Sequence, residues 1–162
     1  MIRRARPDDV RHIVAYVHEL AEYEQLAHTC HADVERVHEH LFGARPACEA
    51  LVAVAAAEDV VGMAIFFQAY STFAPGSFLY LEDLYVTPRA RGQGHGKALL
   101  EALAALASAR GMPRVQWSVL DWNAPAISFY ESLGAELLPA WRTCRLEGDA
   151  IATLARAVPV PE

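Results

Sequence analysis

Gly92, Gly94 and Gly96 stand between a β-rich stretch and a strongly helical segment. Glycines so closely spaced let the backbone approach a ligand and aim several N–H groups at one point. The helix that follows adds a partial positive charge at its N-terminus, so the turn suits an anion such as a pyrophosphate. Two common phosphate motifs do not fit. A Walker loop needs glycine where Arg91 stands and Ser or Thr where Ala98 follows Lys97. A dinucleotide fingerprint needs G-x-G-x-x-G, whereas the spacing here is G-x-G-x-G. A tight strand-to-helix turn without a ligand remains the alternative. Upstream, Glu82 and Asp83 interrupt an otherwise apolar stretch from Phe78 to Val86. Burial there would raise a carboxylate's pKa toward the range useful for proton transfer, while a water-facing or salt-bridged carboxylate is the plain alternative. In a regular strand the two acids face opposite ways.

The elements around these residues follow from periodicity. Ile2 to Ala5 reads as an edge strand, and Pro7-Asp8-Asp9 opens a helix running to about Leu26. Val34, Val37 and Leu41 mark a second helix closed by Gly43. Ala50 to Ala56 and Val60 to Tyr70 flank a turn and predict a hairpin, Ser71 to Ser77 a loop, and Phe78 to Val86 a further strand. Lys97 to Arg110 is an Ala- and Leu-rich helix ending at Gly111. Arg114 to Leu120 predicts a strand, and Asn123 caps a helix that accepts Pro125 in its first turn and continues to Gly134. A final strand over Arg142 to Leu146 completes the order β-α-α-β-β-β-α-β-α-β, with a short apolar helix around Ile151 to Leu154 beside it.

A length of 162 residues suits one domain with a sizeable core, and 54% hydrophobic with 21% charged residues excludes a disordered chain or a fibre. No apolar run reaches the ~18 residues of a membrane span. The basic N-terminus has no apolar stretch behind it, so it makes a poor signal peptide. Cys30, Cys48 and Cys144 are widely spaced and odd in number, against a disulfide framework. The chain therefore reads as a soluble, cytoplasmic domain. Its net charge of −6 disfavours nucleic-acid and anionic-membrane partners, and it suits a cationic substrate no better than it suits an ordinary acidic protein. His28, Cys30, His31, His38 and His40 raise the question of zinc. Their spacing matches no common finger and a helix points His38 and His40 in different directions, so surface histidines and no metal are expected.

The segment Arg91-Gly92-Gln93-Gly94-His95-Gly96 resembles the Arg/Gln-x-x-Gly-x-Gly/Ala signature of the GNAT acetyltransferase superfamily, which holds the coenzyme A pyrophosphate. Leu79-Tyr80-Leu81-Glu82-Asp83-Leu84-Tyr85-Val86 and Asp121-Trp122-Asn123-Ala124-Pro125-Ala126-Ile127-Ser128-Phe129-Tyr130 resemble the diamine (spermidine/spermine and thialysine) acetyltransferases within it. Glu19-Leu20-Ala21-Glu22-Tyr23-Glu24 is similar to the first-helix segment of that subfamily. The resemblance covers nearly the whole chain and is strongest from Leu79 to Gly134. It implies an α/β (α+β) fold over 1–162 as a single domain: a central mixed β-sheet flanked by helices, with splayed strands holding coenzyme A. It also implies acetyl-CoA as co-substrate and assembly as a homodimer.

Acetyl transfer to an amine sets three demands. A primary alkylammonium, with a pKa of ~10, must lose a proton before it attacks. The carbonyl oxygen gains charge and needs donors, and the leaving thiolate gains from a proton. Glu82 is the candidate base, directly or through a water. The resemblance implies a bulge that brings Asp83 to the same cleft, where it would bind the substrate ammonium. It also implies that Tyr130 faces the thioester sulfur as general acid while Phe129 packs into the core; an amphipathic core tyrosine is the alternative. Backbone N–H groups around Leu84, Tyr85 and Val86 would hold the carbonyl oxygen. Arg91, Gly92, Gln93, Gly94, His95, Gly96 and Lys97 would hold the cofactor, with Tyr130 and with Asn123, whose capping role explains it equally well. Tyr23 and Glu24 match positions that line the amine site, with ordinary helix-surface charge as an even alternative. Two departures bear on the substrate: Phe73 stands where a Trp is typical, and Glu136 to Ala140 lacks the usual acidic pair before Trp141-Arg142. Fewer carboxylates disfavour long polyamines, so a thialysine-, lysine- or diamine-like acceptor is at least as well supported as spermidine. The competing readings are a GNAT enzyme for another amine, such as an aminoglycoside or a protein lysine, and a non-catalytic coenzyme A sensor.

Overall fold

The computed structural model describes residues 1–157, the side chain of Ala57 excepted. The chain falls into two compact units, Met1–Leu120 and Asp121–Glu162.

In the first unit, β1 (Ile2–Arg4), β2 (Glu49–Val54), β3 (Val60–Ser71), β4 (Gly76–Val86) and β5 (Val115–Gln116) form one sheet in the order β1-β2-β3-β4-β5. The first four are antiparallel and β5 is parallel to β4, which gives the expected mixed sheet. Helices α1 (Val10–Tyr23) and α2 (Val34–Phe42) cover one face, with Ile13, Tyr16, Leu41, Ala50, Val52, Val54, Val60, Met63 and Tyr85 buried between. Helix α3 (His95–Ala109) covers the other, where Leu99 and Leu103 pack on Leu51, Ala53, Val61, Phe66, Leu79 and Leu81. Each buried Val, Leu, Ile, Met or Phe among them contributes ~1.5–3 kcal/mol by leaving water, so these two layers fix the sheet and its helices within this unit.

The start of α1 is pinned by charge as well as by packing. Asp9 is buried and receives Arg3 Nη1 at 2.6 Å, Arg3 Nη2 at 3.0 Å and the Arg6 N–H at 2.7 Å. Burial alone would push its carboxyl up, but the Arg3 guanidinium and the Arg6 amide hold it below the ordinary range. The Tyr16 hydroxyl donates to the Val60 carbonyl and locks α1 to β3.

The predicted helices and hairpin appear with shifted ends. A 3-10 turn over Pro7–Asp9 precedes α1, which stops at Tyr23 rather than Leu26. The predicted strand over Arg114 to Leu120 shortens to the two residues of β5. Pairing of β4 with β5 covers only Leu79↔Val115 and Tyr80↔Gln116, so among the described residues no strand flanks β4 on that side from Leu81 onward.

The second unit contains α4 (Ala124–Ser132) and α5 (Asp149–Ala155). The expected strand over Arg142 to Leu146 is absent: the segment is irregular and exposed, because among the described residues no strand takes its backbone groups. The helix expected near Ile151 is α5. No described helix is long and apolar enough to cross a membrane.

Candidate active site

The glycine-rich turn leaves β4 through Thr87 and a 3-10 turn over Pro88–Ala90, then enters α3 at His95. Gly92 and Gly94 take φ values of +74° and +84°, where a side chain is strained, and no atom lies within 4 Å of where a Cβ would stand. The space above both glycines is therefore open to a ligand. Gly96 differs: it lies inside α3, which begins two residues earlier than the sequence predicts. The His95, Gly96 and Lys97 N–H groups open the helix and have no acceptor within it, while Ala98 bonds back to Gly94 O at 2.9 Å. Open glycines beside a helix start form a cradle for an anion of pyrophosphate size, so these residues fit the group that the signature implies.

The side chains here brace the turn. Arg91 Nε donates to Val86 O at 3.0 Å, and Gln93 Nε2 donates to Arg89 O at 3.1 Å. Lys97 Nζ lies 3.7 Å from Glu101. The open edge of β4 adds donors. Thr87 N–H bonds to Val61 O at 2.9 Å, so by alternation Tyr85 also faces β3, whereas Leu84 and Val86 turn their N–H groups to the side that β5 has left. Of the three residues expected to offer backbone donors there, Leu84 and Val86 are placed to do so and Tyr85 is not.

The expected bulge in β4 is present. Asp83 pairs with Ile65 and Leu81 with Phe66, which leaves Glu82 as the extra residue. The alternation of faces therefore changes phase. Leu79 and Leu81 pack toward α3, and so do Leu84 and Val86 beyond the bulge, while Tyr85 packs toward α1. Asp83, two residues before Tyr85, consequently shares the α1 face with the bulged Glu82.

The sequence expects burial at Glu82; the structure puts it one residue later. Glu82 bulges out and is exposed, whereas Asp83 is half-buried. Burial pushes the Asp83 carboxyl up to about 6, and the negative charges of Glu82 and then Glu24 add to the shift. Burial also raises Glu24 at the end of α1. The Cys48 thiol is raised by burial first, then by the charges of Asp83, Glu82 and Glu49. Asp83 therefore lies within electrostatic reach of Glu82 and Glu24, and Cys48 within reach of Asp83 and Glu82. Cys48 escaped the sequence reading, although it continues the Cys48, Ala50, Val52, Val54 alternation that faces α1. Tyr23, 41% exposed, lies under the Arg91 guanidinium at 5.5 Å.

In the second unit, Asn123 Oδ1 accepts from Ala126 N–H at 3.3 Å and caps α4, as its capping role requires. Phe129 is half-buried rather than fully packed, because α4 buries no residue completely. Its ring centre lies 5.4 Å from that of Tyr130. Phe73, at the β3–β4 turn, is 94% exposed. Of the histidine cluster, His28 lies on a 3-10 turn and His38 and His40 on α2, and no group of three or more metal-ligating side chains occurs among the described residues.

The sequence profile of the Acetyltransferase (GNAT) family matches residues 13–135. The chain belongs to the GNAT acetyltransferase family. Members of this family use acetyl-CoA as co-substrate. The acetyltransferase is 38% identical over 164 residues to thialysine N-epsilon-acetyltransferase of Mus musculus, a match covering 95% of this chain and 96% of the relative. It is 31% identical over 194 residues to an L-ornithine N5-acetyltransferase of Arabidopsis thaliana, covering 93% of this chain and 85% of that one. Among solved structures, an integron cassette protein from the mobile metagenome of V. cholerae superposes with a TM-score of 0.79 at 26% identity, covering 96% of this chain and 97% of the other. The enzyme thus has the GNAT fold, the mixed five-stranded sheet flanked by helices described above.

Proposed function

We propose that this acetyltransferase moves acetyl from acetyl-CoA to the primary amine of a small diamine- or thialysine-like substrate. The observation that carries the reading is the bulge that sets Glu82 beside Asp83 on the α1 face, within electrostatic reach of Glu24. Gathered carboxylates draw in a cation, and the amine-acetylating relatives from mouse and Arabidopsis act on acceptors of this kind by name.

Acetyl-CoA supplies an activated acetyl thioester; the rest falls to the chain. The N–H groups from Gly92 to Lys97 hold the pyrophosphate, and the backbone of Leu84 and Val86 offers donors to the carbonyl oxygen as it gains charge. Asp83 and Glu24 bind the substrate ammonium, with Tyr23 as a wall. Glu82 takes the ammonium proton, directly or through a water, and frees the nitrogen lone pair for attack. Tyr130 gives its proton to the departing thiolate and Asn123 supports the cofactor, two roles carried over by the family resemblance. A second reading exchanges the acids: with its pKa near 6, Asp83 is tuned to accept a proton close to neutrality.

The same reading takes the chain as a cytoplasmic homodimer without nucleic-acid or membrane partners. It treats residues 1–162 as one domain, which the family match across both units supports.

The test is coenzyme A release from acetyl-CoA against putrescine, spermidine, thialysine, lysine, ornithine and an aminoglycoside across pH. Turnover is expected on a short diamine or a thialysine-like amino acid and weakly on spermidine. Faster turnover on the aminoglycoside would move the acceptor to another class. Donor binding without release from any amine would favour a coenzyme A sensor.

A further inference from the structure

The buried residues of α1 all lie in its first half: Val10, Ile13, Val14 and Tyr16. Its C-terminal end carries Tyr23 and Glu24 toward the proposed amine site, yet Tyr23 is 41% and the following Leu26 is 40% exposed. Apolar burial along this half is only partial, through Val17 and Leu20, and two further contacts tie its end to β4 and the turn. Tyr85 on β4 donates its hydroxyl to Glu19 Oε2 at 2.6 Å, one turn before the helix ends. Arg91 stands with its guanidinium carbon 5.5 Å from the centre of the Tyr23 ring and 5.7 Å from that of Tyr85, while its Nε donates to Val86 O at 3.0 Å. The guanidinium thus joins a ring on the helix to a ring on the strand, and is itself tethered to that strand.

We propose that Arg91 is a positioning residue of the acceptor site: its side chain clamps the end of α1, with Tyr23 and Glu24, against β4 beside the Glu82–Asp83 bulge. The proposal rests on the reading of those acids as the amine site. It separates the roles of one residue, since the Arg91 backbone begins the glycine-rich turn while its side chain serves the other substrate. Its geometry uses what arginine offers, a cation within cation–π reach of two rings while the in-plane Nε–H donates sideways. A lysine in its place keeps the charge but loses the Nε–H that tethers the cation to Val86 O.

The test compares wild type with Arg91→Met, Arg91→Lys and Tyr23→Leu by three measurements: hydrogen exchange over residues 19–26, calorimetric coenzyme A affinity, and steady-state kinetics with the preferred amine. In both Arg91 variants and in Tyr23→Leu, exchange over residues 19–26 is expected to quicken. The amine KM should rise about 2- to 5-fold, the equivalent of roughly 0.5–1 kcal/mol for an exposed cation–π contact. The amine KM should change more than kcat or coenzyme A affinity does, and lysine should not rescue. Unchanged exchange in Arg91→Met would overturn the proposal. So would a tenfold loss of coenzyme A affinity in Arg91→Met that Arg91→Lys restores, because that marks a pyrophosphate ligand. Should the wild type turn over no amine at all, the acetyl-transfer reading fails, and the exchange and calorimetric results still decide the clamp.

Discussion

The glycine-rich turn and the carboxylate bulge adjoin opposite layers of the sheet and are made in opposite ways. The turn is contiguous in sequence, Arg91 to Lys97, and its donors are backbone N–H groups at a helix start. The bulge site is assembled from segments far apart, with Glu24 from α1, Cys48 from the approach to β2, and Glu82 and Asp83 from β4. The first offers positive potential to a phosphate, the second negative potential to an ammonium. A site made of backbone depends on which residues permit the conformation. A site made of side chains depends on strand register, where one residue more or less exchanges the faces.

Changes at the two regions should therefore separate. The largest effect is expected from Glu82→Gln, which should lower kcat by roughly 10²–10³ as general-base assistance is lost, with coenzyme A affinity kept. Stopped-flow and calorimetric measurements on one preparation would show both. If kcat falls less than tenfold while Asp83→Asn falls more, the second assignment of the acids is the right one.

Asp83→Asn comes next. Losing a charge-assisted bond should raise the amine KM about tenfold. In the wild type, amine binding should weaken as pH falls through about 6 and Asp83 takes up a proton. Stability should move the other way. The folded-state carboxyl titrates near 6, above its ordinary 3.8, so wild-type stability falls as pH rises through that window. The asparagine variant escapes this loss, so its Tm should exceed wild type by ~3 °C at neutral pH and by little near the ordinary carboxylate value. Equal Tm differences at both pH values would deny the burial of Asp83.

Lys97→Ala should have the smallest effect. Its ion pair with Glu101 is exposed at 3.7 Å, so stability should change by less than ~0.5 kcal/mol. Coenzyme A should bind about threefold more weakly at low salt, with the difference fading as salt screens the charge.

The contrast between the regions also explains how far the sequence could be read. The turn was legible because its glycines, the helix after it and the signature are local. Helices α1, α2 and α3 and the β2–β3 hairpin followed from spacing, with ends off by a few residues. The environment of Glu82 was not legible from alternation, since a single bulged residue moves burial to Asp83. The Arg91 contacts with Tyr23 and Tyr85 join residues far apart in the chain, and nothing in the order of residues marks them. The strand expected over Arg142 to Leu146 shows the converse. The order of its residues allows a strand, but a strand exists only where another takes its hydrogen bonds.

The separation of donor and acceptor regions is tested most directly by titrating coenzyme A calorimetrically into Gly94→Val and Glu82→Gln. A valine at φ +84° strains the turn and places methyl groups in the open space above it. The prediction is a loss of at least tenfold in affinity for Gly94→Val and wild-type affinity for Glu82→Gln. Wild-type affinity in Gly94→Val, or a matching loss in Glu82→Gln, would contradict it.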